Sequence, residues 1–194
     1  MAKKFVSKIT DMDVDFGKWY QDLCVEAKLM SYSDTQGFII YRPYGYAIWE
    51  KIKEFLNTNF KATGHSNVYM PMLIPESLFQ KEKDHIVGFA PETATVTTAG
   101  SKALEENLIV RPTSEVLFTS HFANIVESYK DLPLKYNQWC SVVRWEKTTK
   151  PFLRGREFLW QEGHTVHETA KEAKQETQKM LKVYEKLGKD LLAI

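Results

Sequence analysis

The sequence predicts an α+β domain in which helices back an antiparallel sheet, and two observations carry that prediction. Long stretches repeat apolar residues at three- and four-residue steps, and the strand signals between them do not follow the regular β-α-β alternation of a parallel sheet. The two clearest strand signals, residues 138–146 and 156–164, are joined by a basic, turn-forming connection that suits a long-looped antiparallel hairpin. With 194 residues, 43% hydrophobic and 26% charged, the chain is long enough to bury a core and is expected to form one domain.

In chain order, Phe16, Trp19, Tyr20, Leu23 and Ala27 place an aromatic stripe on a helix within residues 13–30, expected to face the core. G-F-I-I-Y-R-P, residues 37–43, reads as a short strand, and Pro43 then starts a helix whose Tyr44, Ile48, Ile52, Phe55 and Leu56 share a face. Gly64 is its stop signal. V-Y-M-P-M-L-I-P, residues 68–75, is extended and apolar, yet Pro71 cannot donate to a ladder, which assigns the run to a sheet edge or an interface. Residues 76–107 are polar and irregular, with turn signals at F-A-P-E-T and T-T-A-G-S-K, leaving a lid and a plain surface loop both open. L-I-V-R-P-T-S-E, residues 108–115, is a strand running into a helix that Thr113 or Ser114 would cap, carrying Leu117, Phe118, Phe122, Ile125, Val126 and Tyr129. After the hairpin, Thr169 and Glu172 make a capping box for a helix whose Ala173, Met180, Leu181, Tyr184, Leu187 and Leu191 share a face, with no stop signal before residue 194.

A net charge of +1 gives no global field for a polyanion, so any nucleic-acid contact has to come from local patches. Cys24 and Cys140 have no metal or redox spacing and read as buried free thiols in a reducing compartment. The first residues lack a signal-peptide core and no apolar run reaches membrane-span length, so a cytoplasmic, non-membrane protein is expected. Neither a glycine-rich phosphate loop nor a dinucleotide fingerprint is present, so a nucleotide would have to be held by side chains.

The hairpin supplies such side chains. At period two, Phe158, Trp160, Glu162 and His164 fall on one face of R-E-F-L-W-Q-E-G-H, mixing aromatic rings with ionisable groups, while Val142, Arg144 and Glu146 share a face of the first strand. If both faces lie on one side of the hairpin they form a floor suited to a ligand with anionic, planar and cationic parts, with Lys147, Lys150, Arg154 and Arg156 at one end. The residues alone leave Arg144 with Glu146 equally readable as a solvated ion-pair face, and Phe158 with Trp160 as core. His164, His167 and Glu168 raise a metal-hydrolase alternative, but H-x-x-H-E lacks the spacing of a helical zinc site, and no metal site is expected.

R-P-T-S-E, Q-W-C-S-V-V-R-W-E and P-F-L-R-G-R-E-F-L-W-Q-E-G-H, with G-F-I-I-Y-R-P-Y-G-Y-A-I-W-E and F-A-P-E upstream, resemble class II aminoacyl-tRNA synthetases, and closely the prolyl-tRNA synthetases of the archaeal and eukaryotic type. The resemblance covers nearly the whole chain. It implies a synthetase-like antiparallel sheet flanked by helices and a proline–tRNA ligase acting on L-proline, ATP with its Mg2+, and tRNA(Pro). The R-x-E of the second class II motif falls on Arg144 and Glu146, implying that Arg144 bridges the α-phosphate and the amino-acid carboxylate and that Glu146 accepts from the adenine amino group. Arg154 would meet the γ-phosphate side and Phe158 would stack on adenine. Thr113 and Glu115 would hold the substrate ammonium; Trp160, Glu162 and His164 match the proline-pocket strand; Phe89 and Glu92 match the loop over that pocket. Pro71 matches the proline of the first motif, at the interface of a homodimer.

Residues 165–194 contain nothing like the glycine-rich third motif, and the anticodon-binding and C-terminal domains have no counterpart here. Residues 1–194 are therefore expected to be an N-terminal portion of the catalytic domain, holding motifs 1 and 2 and incomplete on its C-terminal side, with impaired activity by itself. The alternative is a noncatalytic fragment or paralogue that keeps the fold and ligand binding.

Overall fold

Asp15 fixes the first helix: its carboxylate accepts from the Lys18 backbone N–H at 2.9 Å, one of the donors a helix start leaves without a partner. Helix α1 runs Phe16–Glu26. In the computed structural model, which describes residues 8–83 and 92–194, this helix belongs to the first of two compact units, Met1–Lys51 with Glu146–Glu157; the second comprises Ile52–Trp145 with Phe158–Ile194. The expected aromatic core stripe on α1 is not observed. Cys24 is the residue it buries, Phe16 is 63% exposed, and the Phe16 and Trp19 rings pack on each other at 5.2 Å.

Also in the first unit, strands β1 (Met30–Tyr32) and β2 (Ile39–Tyr41) pair antiparallel, Met30 opposite Tyr41. Helix α2 (Pro43–Ala62) begins at the predicted proline and carries the chain from the first unit into the second. Gly45 lies so close to the backbone of Leu29 that a Cβ there would sit 2.2 Å from the Leu29 carbonyl oxygen. The basic connection folds back within this unit. Arg156 donates its backbone N–H to Gly37 O at 3.0 Å and Nη1 to Gln36 O at 2.8 Å, and Lys150 pairs with Arg154 in an isolated bridge.

In the second unit, α2 buries Leu56 and Phe60 and ends at Thr63–Gly64, where Gly64 takes φ +87° as a helix stop requires. The proline-containing run divides, as an unpaired Pro71 demands, into β3 (Ser66–Val68) and β4 (Leu73–Pro75). They join different three-stranded sheets. In one, β3 lies parallel to β7 (Leu134–Val143), whose other neighbour is β8 (Glu157–Val166); in the other, β4 and β5 (Thr95–Ala99) flank β6 (Lys102–Val110) antiparallel. The α+β class holds, with one parallel pairing that local sequence could not signal.

Residues 76–107 are neither lid nor loop over most of their length. Helix α3 (Glu76–Lys83) and the β5–β6 hairpin occupy them, turning at Gly100 with φ +61°. The hairpin is exposed on most positions, which is why its polar residues read as loop; the β-branched run Thr95–Val96–Thr97–Thr98 was the strand signal. Helix α4 (Glu115–Ile125) buries Val116, Phe118 and Phe122, and Ser114 stands at its N-cap position without capping through its side chain. Helix α5 (Ala170–Leu187) has the predicted Thr169–Glu172 capping box, but its buried residues are Glu176 and Val183, with Leu181 61% exposed. It gives way to a π-helical turn at Gly188–Leu192 rather than continuing to the last residue.

Candidate active site

Strand β7 ends at Val143, one residue short of Arg144, so Arg144 and Glu146 do not lie on the strand as the period-two reading placed them. Backbone bonds hold the segment that follows. Val143 N–H donates to Arg111 O at 3.0 Å and Trp145 N–H to Glu92 O at 2.8 Å, which holds Glu92 against the residue that follows Arg144. The Arg144 guanidinium lies over two aromatic faces, 4.9 Å from the Trp160 centroid and 5.5 Å from that of Phe158, and its Nε donates to Pro112 O at 3.0 Å. Strand β8 therefore presents Phe158 and Trp160 together, as predicted, with ring centroids 5.6 Å apart.

Glu162 and His164 continue that face inward. Glu162 is buried, and its carboxylate accepts from Gln138 Nε2 at 2.8 Å on Oε1 and meets His164 Nε2 at 3.0 Å on Oε2. Burial alone would raise this carboxyl, but its bonds with His164, Ser114 and Gln138 outweigh desolvation and hold it at about 2, so it is ionised. The His164 ring stacks on Phe118 of α4, centroids 4.0 Å apart and planes 15° from parallel. Cys140 Sγ contacts Glu162 Oε1 at 3.7 Å; burial first, and the neighbouring carboxylate second in the same direction, push its thiol up to about 11 against the opposing pull of Arg111.

Thr113 is buried and donates its hydroxyl to the exposed Glu115 carboxylate, so the T-x-E pair is assembled. In the first unit, Glu146 takes both Nε and Nη2 of Arg154 on one oxygen, at 3.0 and 2.8 Å. Pro71 is exposed between Tyr69, 67% exposed, and Met72, 49% exposed. Phe89 lies outside the described residues. His167 Nε2 meets Thr165 Oγ1 at 3.1 Å while His164 engages Glu162, and among the described residues no three His, Cys, Asp or Glu side chains cluster as a metal site.

Two buried residues were missed in the sequence. Gln138, with 0% exposure, accepts from the Met70 backbone N–H and donates to Ser114 Oγ as well as to Glu162. Arg111, 1% exposed, donates Nε to Ser141 O at 2.9 Å and Nη1 to Met70 O at 2.8 Å, and lies over the Tyr69 ring. The signal was present for Gln138: at period two it shares a strand face with Cys140 and Val142, and a polar residue in that register needs polar partners inside. Arg111 gave no such signal, because its partners are mostly carbonyls whose positions only the fold defines.

Among the described residues no helix is long and apolar enough to cross a membrane. The chain is 63% identical over 192 residues to a proline–tRNA ligase of Clostridium novyi (strain NT), covering 99% of this chain and 40% of that protein. It is 60% identical over 191 residues to the proline–tRNA ligase of Onion yellows phytoplasma (strain OY-M), again covering 40% of that protein. The chain thus spans about two fifths of the length of these curated relatives. A crystal structure of prolyl-tRNA synthetase from Cryptosporidium parvum, complexed with halofuginone and AMPPNP, superposes with a TM-score of 0.89 at 42% identity, over 95% of this chain and 38% of that one. The family model for the tRNA synthetase class II core domain (G, H, P, S and T) matches residues 95–193, just over half of the chain. On that match the chain belongs to the class II tRNA synthetase core-domain family.

Proposed function

We propose that this chain is part of a proline–tRNA ligase, which activates L-proline with ATP and its Mg2+ to prolyl-adenylate and transfers the prolyl group to tRNA(Pro). Residues 1–194 are read as an N-terminal portion of its catalytic domain, carrying the first two class II motifs. The observation that carries the reading is the Arg144 guanidinium poised over Phe158 and Trp160 beside the buried Glu162–His164 pair. A planar fork above aromatic faces suits a phosphate and a carboxylate lying next to a purine. The identity to proline–tRNA ligases across nearly the whole chain supports proline as the amino acid.

No protein nucleophile is needed. The proline carboxylate attacks the α-phosphorus in line, pyrophosphate leaves, and the enzyme supplies placement and positive charge where the pentavalent centre gains negative charge. Arg144 provides that charge, Phe158 the adenine platform, and Thr113 with Glu115 the acceptors for the substrate ammonium. Trp160 and His164 flank the amino-acid side, and Glu92 is assigned to the segment over it. Glu146 and Arg154 are assigned, on the motif alone, to the adenine amino group and the γ-phosphate side.

The test is ATP–pyrophosphate exchange with each of the twenty amino acids, on this chain and on any longer polypeptide that carries it. Proline-only exchange is the expected result for the longer polypeptide, with weaker exchange or none for residues 1–194; exchange with another amino acid, or ligand binding with no exchange in either form, overturns the reading. Arg144→Ala should lower exchange by roughly a hundredfold, the cost of removing one charge from the transition state, about 3 kcal/mol, with circular dichroism unchanged. Arg144→Lys should fail as well, because an ammonium lacks the fork. Retention of more than about a tenth of parental exchange by a folded Arg144→Ala, far above the loss that one such charge implies, removes the assigned role.

A further inference from the structure

Gln138 is enclosed, and its amide has one orientation. Oε1 accepts from the Met70 backbone N–H, a group that only donates, while Nε2 gives one hydrogen to Ser114 Oγ at 3.1 Å and the other to Glu162 Oε1 at 2.8 Å. Turning the amide half round would set donor against donor at Met70 and an oxygen against the carboxylate. Glu162 in turn meets His164 Nε2 at 3.0 Å through its other oxygen. An ionised carboxylate only accepts, so Nε2 carries the hydrogen. Stacking on Phe118 at 4.0 Å holds the plane of that ring.

We propose that Gln138 is a positioning residue for the amino-acid substrate: by locking Glu162 it holds the His164 ring, with Nε2–H turned to Glu162, in place on the amino-acid side. The proposal deepens the proline-activation reading and rests on it for the identity of the amino acid. It does not rest on it for the tautomer. Gln138 touches no substrate in this scheme; it acts through Glu162 and His164. A neutral donor at this point also keeps a second carboxylate away from Glu162, which a glutamate at position 138 would introduce.

Two readouts test it. In the full chain labelled with 15N-histidine, the long-range proton–nitrogen pattern of the His164 ring should be that of the Nε2–H form; an Nδ1–H pattern overturns the proposal with no need of activity. In any exchange-competent longer polypeptide, Gln138→Leu and Gln138→Glu should each raise the proline KM about tenfold, as expected for losing one hydrogen bond to a charged group, and leave the ATP KM within about twofold. The His164 pattern should lose its single-tautomer character in both variants. Gln138→Glu keeps the acceptor for Met70 and loses the donors to Glu162 and Ser114, so it remains informative if Gln138→Leu fails to fold. Equal changes in both KM values, or an unchanged proline KM, overturn the positioning role. A parent without proline-dependent exchange would sink the proposed function, while the ring pattern of parent and variants would still decide the role of Gln138.

Discussion

Glu162 stays charged inside the protein because Gln138, His164 and Ser114 together outweigh the loss of water. Its carboxyl is held at about 2, below its ordinary value of 4.5, so the unfolded chain binds this proton more readily than the folded one. The stabilisation is therefore complete above about pH 4.5 and is lost as the pH falls through about 2. Its size is about 3 kcal/mol. Urea unfolding at stepped pH should show Glu162→Gln less stable than the parent near neutrality, with the gap closing between those two pH values. A gap that stays constant with pH would mean that the carboxylate is not held in this way. The same residue marks a limit of the sequence reading. Its strand face was legible from the period-two pattern, but its enclosure by Gln138 and His164 was not, because that depends on β7 lying beside β8.

Among the elements, helix α2 shows how closely a start signal can be followed by a packing constraint. Pro43 fixed its beginning, and two residues later Gly45 is required for a different reason: a methyl group there would meet the Leu29 carbonyl oxygen at 2.2 Å, and the nearest atoms are backbone, which cannot rotate away. Gly45→Ala, although it favours a helix, should destabilise the first unit by about 1–3 kcal/mol. Limited proteolysis of the β1–β2 region should be faster in that variant; a rate equal to the parent's would show that the helix start moves freely. Helix starts, the Pro71 break and the α5 capping box were all readable because each is written in adjacent residues. The α1 stripe and the β5–β6 hairpin were misread because both are largely exposed, and exposure is decided by what the rest of the chain covers.

For the molecule, membership of the class II family makes the segment around Pro71 the proposed contact with a second copy. It is exposed here, and its Met70 peptide is gripped by Arg111 at the carbonyl and by Gln138 at the N–H. Sedimentation velocity should give a dimer for the parent polypeptide and a monomer when Tyr69→Ser and Met72→Lys are combined. A monomeric parent removes that interface. Which residues to consider was legible from motif spacing, which singled out Arg144, Thr113, Glu115 and Phe158 as candidates. Their arrangement was not, because β7 stops at Val143 and leaves the position of Arg144 to bonds from Pro112 and from the neighbouring backbone.

Cys140 has a last consequence. A thiol held near 11 against a carboxylate carries almost no thiolate at neutral pH, and the thiolate is the form that peroxide and alkylating electrophiles attack. The pairing of Cys140 with Glu162 is therefore chemically quiet toward such reagents. A covalent reagent aimed at the Glu162–His164 pair has to take its anchor from another side chain.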